Sequence, residues 1–271
     1  MISLSSAPEL LRAVQKAREV DLAAYILSPG MERVLEDAAR RGTLVRVRLN
    51  GCFHGASALL RANRAAMRRL RAAHADARLI HRRENDGPPL HLKAAVCDGI
   101  AYLDDCNWRA GGRDTIVRAG RSTRGVALDK RSALDAEAAL LQNARHGTVE
   151  VETESAGYSP VYSALKRLAQ HGLRCRLLVS KFGAQGTYAA AARHLAEAGV
   201  DVRVADSDEK FALCGARGWI GSANATSYYL HPDQLDWGAR TSNPQLLHAL
   251  HAKFARNWRT SKPLPQARLM L

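Results

Sequence analysis

His91 and Lys93 stand two residues apart at the head of HLKAAVCDGIAYLDDCN, a segment that ends on Asn107. These residue types suit a phosphodiester. Lysine brings a fixed positive charge and three donors, and asparagine brings amide donors, so both can hold non-bridging oxygens as negative charge gathers on them. A neutral imidazole can attack phosphorus and form a phosphohistidine that water or an alcohol later resolves. That route needs no metal or cofactor. The five cysteines, Cys52, Cys97, Cys106, Cys175 and Cys214, are odd in number and contain no C-x-x-C pair. They suggest neither a disulfide framework nor a zinc site, and they fit a reducing compartment.

The groups converge only if the backbone folds back. Asp98-Gly99 lies between two short apolar runs, the strongest local signal for a hairpin, and the turn would carry Asp105 to Asn107 back beside His91. On a strand, residues two apart share a face, so His91 and Lys93 point the same way. A second segment, DEKFALCGARGWIGSAN, aligns with the first without a gap at an offset of 117 positions (91 to 208). Lys93 falls on Lys210 and Asn107 on Asn224, while His91 meets Asp208 and Asp98 meets Gly215.

Each segment follows a similar series of elements. Ser6 to Lys16, MERVLEDAARRG and the basic LLRANRAAMRRLRAAHA read as helices, and DLAAYIL, LVRVRLN and ARLIHR as strands. GTVEVET, LRCRLLVS and VDVRVADS are strands of the carboxyl half, interleaved with the helices YSPVYSALKRLAQHG and TYAAAARHLAEAG. Alternation of strand and helix predicts a mainly parallel sheet with helices on both faces. The repetition suggests a duplication, with halves at 1–143 and 144–271 joined by a linker near 141–148.

The two segments resemble the His-x-Lys, Asp, Gly-Ser-x-Asn signature of the phospholipase D superfamily, whose members carry it twice, and the likeness covers most of the chain. The resemblance implies an α/β fold of two similar halves, mixed β-sheets flanked by helices in a pseudo-twofold sandwich, with one active site where the halves meet. His91, Lys93 and Asn107 match the first motif, and Lys210, Ser222 and Asn224 the second; the lysines, asparagines and serine would grip phosphate. The family places an acidic residue after each asparagine to orient the histidine, and Asp114 and Asp236 occupy those places. The sequence also departs from the pattern: Asp208 replaces the second histidine, Gly215 the second aspartate, and Asp104-Asp105 the first Gly-Ser. One motif histidine is left, so the leaving-group proton must come from another acid. Asp208 and Glu209 are candidates if burial raises a carboxyl pKa against the pull of Lys210; His54, His81 and His231 flank the motifs.

The chain has 271 residues and a net charge of +14, with 40 Lys and Arg against 26 Asp and Glu. Such a charge steers phosphates of DNA, RNA or an anionic lipid surface alike, with a slight inclination to nucleic acid. Aromatic residues make up 6% of the chain, which leaves few base-stacking platforms. The amino terminus lacks a basic start followed by an apolar core, and no run approaches the ~18 apolar residues that span a bilayer, so a cytoplasmic location is expected. The expected activity is a metal-independent, phospholipase D-like phosphodiesterase that cleaves or transfers a phosphodiester of nucleic acid or phospholipid, working as a monomeric pseudo-dimer. The alternatives are a catalytically degenerate relative that binds nucleic acid or an anionic membrane surface, and a dimer in which two His91 side chains share a site.

Overall fold

The structure is a computed structural model that describes residues 2–53, 57–81, 90–108, 115–120, 125–227 and 234–265. Its elements run β1 (Ile2–Ser5), α1 (Ala7–Lys16), β2 (Glu19–Ala24), α2 (Pro29–Arg40), β3 (Leu44–Asn50), α3 (Ser57–Ala72), β4 (Asp76–Ile80), β5 (Ala94–Cys97), β6 (Ile100–Asp104) and β7 (Ile116–Ala119). They continue as β8 (Val126–Ala127), α4 (Lys130–Gln142), β9 (Thr148–Thr153), α5 (Pro160–Gln170), β10 (Arg174–Ser180), α6 (Gly186–Glu197), β11 (Asp201–Ala205), β12 (Phe211–Cys214), β13 (Arg217–Gly221), β14 (Gly238–Thr241), α7 (Pro244–Thr260) and β15 (Lys262–Pro263). Helix starts follow local chemistry. The Ser6, Ser28 and Ser159 side chains accept from backbone N–H groups three residues on, each with proline in the first turn.

The first sheet has the order β1-β7-β6-β5-β2-β3-β4, and the second β8-β14-β13-β12-β9-β10-β11-β15. Apart from β15, the two orders are the same. The sheets are mixed, in contrast to the mainly parallel sheet expected from the alternation of elements. Among the named strands with a described register, parallel pairing joins β2-β3-β4 and β9-β10-β11, where a helix carries the chain between strands, and hairpins add antiparallel strands beside them. The motif hairpins keep the sequence offset: Ala94 pairs with Leu103 in one, Phe211 with Ile220 in the other. By element order the second copy starts at β8, so α4, which ends just before the expected division at 143/144, is the counterpart of α1.

Two compact units result. One comprises Met1–Ala133 with Gly221–Ala223 and Tyr228–Ala239; the other comprises Leu134–Ile220, Asn224–Ser227 and Arg240–Leu271. A short stretch of the second copy thus belongs to the first unit. Within that unit, alternate residues of β2 (Val20, Leu22, Ala24) face Leu10 and Val14 of α1 and Leu35 of α2 in the buried core. Each such side chain contributes roughly 1.5–3 kcal/mol by leaving water. The Asp98-Gly99 turn forms as expected, with φ of +47° and +79°. The Asp98 carboxylate accepts from the N–H groups of Arg18 and Glu19, both at 3.0 Å, so the motif aspartate fixes the hairpin to the start of β2.

Candidate active site

His91 and Lys93 lie in the extended segment entering β5. Leu90 bridges Leu235 in parallel, and His91 N–H donates to the Leu235 carbonyl at 2.8 Å. This short pairing sets His91 beside Asp236. His91 Nδ1 is 2.8 Å from Asp236 Oδ1, with the carboxylate fully buried and the imidazole nearly so. Ser222 Oγ donates to the same oxygen at 2.7 Å and Gln234 Nε2 to Oδ2 at 3.0 Å. Burial pushes the Asp236 pKa up. The His91 charge and hydrogen bond, the Lys93 charge and the Ser222 hydroxyl together outweigh it and hold the group below its ordinary value.

Lys93 is 1% exposed, and its Nζ lies 3.0 Å from His91 Nε2 and 3.2 Å from Nδ1. It sits 5.8 Å from the centre of the Tyr25 ring, which itself meets His91 edge-on at 5.0 Å and Phe53 at 4.9 Å. Lys130 is buried near Asp236. Desolvation lowers its pKa, while the Asp236 charge resists that change.

The expected residues fall out unequally. His91, Lys93, Ser222 and Asp236 come together in the first unit. Ser222, expected in the phosphate cradle, instead uses its fully buried hydroxyl to hold Asp236 and to accept from Trp237 N–H at 3.0 Å. Asp104 and Asp105, which stand where the family pattern has Gly-Ser, turn to the backbone: each is buried, Asp104 Oδ1 accepting from Cys106 N–H and Asp105 Oδ1 from Thr115 N–H. Asn107 follows β6 with a buried Oδ1 that has no hydrogen-bond partner among the described residues. Asp114, His54 and His231 lie outside the described residues, and His81 is exposed after β4. Sequence reasoning missed Gln234 and Tyr25. For Gln234 the signal was present, because it stands two before Asp236 and so shares its face in an extended segment.

In the second unit, Lys210 is 3% exposed and its Nζ donates to the Asp208 carbonyl at 2.6 Å. Asn224 Nδ2 donates to Glu154 Oε2 at 2.7 Å. Glu209 is buried and paired with Lys253 at 2.5 Å. Glu152, missed by sequence reasoning, is pushed up to about 7, mainly by burial and also by the nearby Glu209 charge. It therefore titrates near neutral pH.

Two solved structures share this fold. Phosphatidylserine synthase from Haemophilus influenzae Rd KW20 superposes with a TM-score of 0.65 at 12% identity, covering 97% of this chain and 87% of that one. Polyphosphate kinase from Porphyromonas gingivalis does so at 0.62 and 13% identity, covering 96% of this chain and 47% of the kinase. The family profile described as cardiolipin synthase, phospholipase D-like domain, matches residues 138–258, the copy that carries Lys210 and Asn224. Residues 138–258 are thus similar to the phospholipase D-like domain, and the chain shares the fold of the two solved structures. By sequence it matches no curated protein. It spans about half the length of the polyphosphate kinase. No helix among the described residues is long and apolar enough to cross a membrane.

Proposed function

We propose that the protein is a phosphodiesterase working through a phosphohistidine at His91. The observation that carries this reading is the 2.8 Å contact between His91 Nδ1 and Asp236 Oδ1. A carboxylate on Nδ1 keeps the proton there and leaves the lone pair on Nε2, which is the tautomer a nucleophile needs. Nε2 attacks phosphorus and the P–N bond forms as the bond to the leaving oxygen breaks. That oxygen departs with the electron pair and takes up a proton. Water or an alcohol then attacks phosphorus and gives up its proton, and the P–N bonding pair returns to Nε2. The Lys93 ammonium, facing Nε2, is in reach of a phosphate oxygen placed there and offsets the charge that develops on it. Asp236 stabilises the imidazolium formed between the two steps. We assign phosphate contact also to Asn107, Lys210 and Asn224 on the motif positions they occupy, and proton delivery to Asp208, which stands where the second histidine would be.

The test is turnover of bis(p-nitrophenyl) phosphate with EDTA present. The wild type should release nitrophenol and His91→Ala should fall to background; activity that survives His91→Ala, or that EDTA abolishes, defeats the mechanism. Asp208 in the histidine position favours a second reading, a phosphate-polymer binder without turnover. Purified wild type that binds oligonucleotide and never turns over would establish that one.

A further inference from the structure

Tyr25 stands directly after β2, at the end of the first sheet where His91 and Lys93 enter β5, and its side chain is half-buried. Ala23 pairs with Ala94, so Tyr25 and Lys93 leave adjoining ends of paired strands. A buried carboxamide fixes this end. Asn63, 0% exposed on the otherwise basic α3, donates through Nδ2 to the carbonyl of Tyr25 at 2.8 Å and to that of Asn50, the last residue of β3, at 2.9 Å. Asn50 in turn donates from its own side chain to the Cys52 carbonyl, just before Phe53, whose ring meets that of Tyr25. One side chain thereby ties the segments that carry both rings to α3, which answers for burying an amide among apolar neighbours.

The Lys93 ammonium is nearly equidistant from the two nitrogens of His91, at 3.0 and 3.2 Å. In the ring plane such a point falls on the ring carbons, so the ammonium lies over the face of the imidazole. The in-plane lone pair of Nε2 therefore stays clear of the lysine, while the ammonium remains in reach of a phosphate oxygen. This arrangement sets a cation against a ring that becomes a second cation once phosphorus is bound, and two positive charges so close repel. The Tyr25 ring counters that repulsion. Its centre lies 5.8 Å from Lys93 Nζ and 5.0 Å from the centre of the imidazole, with the two rings inclined at 64°. The face of a phenol ring is negative and attracts an ammonium within about 6 Å, more strongly when the pair is withdrawn from water. Lys93 is so withdrawn, at 1% exposed. Resting on the phosphodiesterase reading, we infer that Tyr25 is a positioning residue: its ring holds the Lys93 ammonium over the His91 imidazole and leaves Nε2 open to phosphorus. The ring carries this role, and the hydroxyl does not.

The test measures turnover and folding stability on the full chain. Tyr25→Phe, which keeps the ring, should stay within about twofold of wild type on bis(p-nitrophenyl) phosphate, whereas Tyr25→Leu should lose about tenfold in kcat with KM nearly unchanged, the mark of an interaction realised in the transition state. Fluorinated phenylalanines placed at position 25 drain negative charge from the ring face while nearly preserving its shape, and kcat should fall stepwise with each added fluorine. A flat series, or a loss confined to KM, overturns the inference. So does slowing of an alkyl phosphodiester by Tyr25→Phe with the p-nitrophenyl ester untouched, because the hydroxyl would then be a proton donor. In urea, the cycle of Tyr25→Leu, Lys93→Met and the double variant should show a coupling of about fivefold in the unfolding constant, which is read whether or not the protein turns over. Additive effects overturn the inference. Coupling in a protein that turns over no ester defeats the catalytic mechanism and leaves the hold of Tyr25 on Lys93 standing; turnover that Tyr25→Leu leaves unchanged defeats this inference alone.

Discussion

Asp236 illustrates how a fully buried carboxylate stays ionised: burial works against the charge, and His91, Lys93 and Ser222 overcome it. Asp236→Asn removes the acceptor that fixes the imidazole while keeping the shape. Turnover should fall by about 10⁴ with near-native circular dichroism, as expected when the tautomer is lost. A carboxyl whose folded pKa is depressed contributes stability above its unfolded value near ~4, and that contribution fades as pH falls through the folded value. The variant should therefore be less stable than wild type in urea at pH 7, with the gap closing toward pH 3. Asp208 is tested by leaving group. If it supplies the proton, Asp208→Asn should slow hydrolysis of an alkyl phosphodiester by about 10²–10³ and barely touch the p-nitrophenyl ester, whose oxygen leaves unprotonated. Equal slowing of both esters would remove Asp208 from that role.

At the level of elements, the β5–β6 hairpin and α4 give separate stability predictions. Asp98 accepts two backbone hydrogen bonds from the start of β2 in addition to adopting a positive φ. Asp98→Ala should cost about 1–3 kcal/mol in chemical denaturation, from unsatisfied N–H groups and from the backbone conformation. In α4, Glu137 is 1% exposed, and burial pushes it up to about 8. Below the unfolded value near ~4.3 both states are protonated; as pH rises toward 8 the unfolded chain ionises while the folded one resists, so wild type loses stability across that window. Glu137→Gln should raise Tm by several degrees at pH 8 and change it little at pH 4.

For the molecule as a whole, the residues that complete the His91 environment come from the far copy: Ser222, Gln234 and Asp236 are counted with the first unit. A fragment of residues 1–125 should show no turnover despite holding His91 and Lys93, and supplying residues 126–271 as a second chain should restore it. The sequence by itself determined what depends on near neighbours. Turn chemistry at Asp98-Gly99, period two at His91 and Lys93, serine caps with proline behind them, and the 117-residue repeat are written in residues close enough to read together. It also pointed to Asp236, though only through a family pattern. Only the tertiary structure decided that the Asp236 carboxylate meets an imidazole 145 residues away. It also decided that Ser222 turns to that carboxylate and that Asp104 and Asp105 cap backbone. Such contacts follow from which buried polar groups can satisfy one another once the sheet is closed, and no local pattern records that competition.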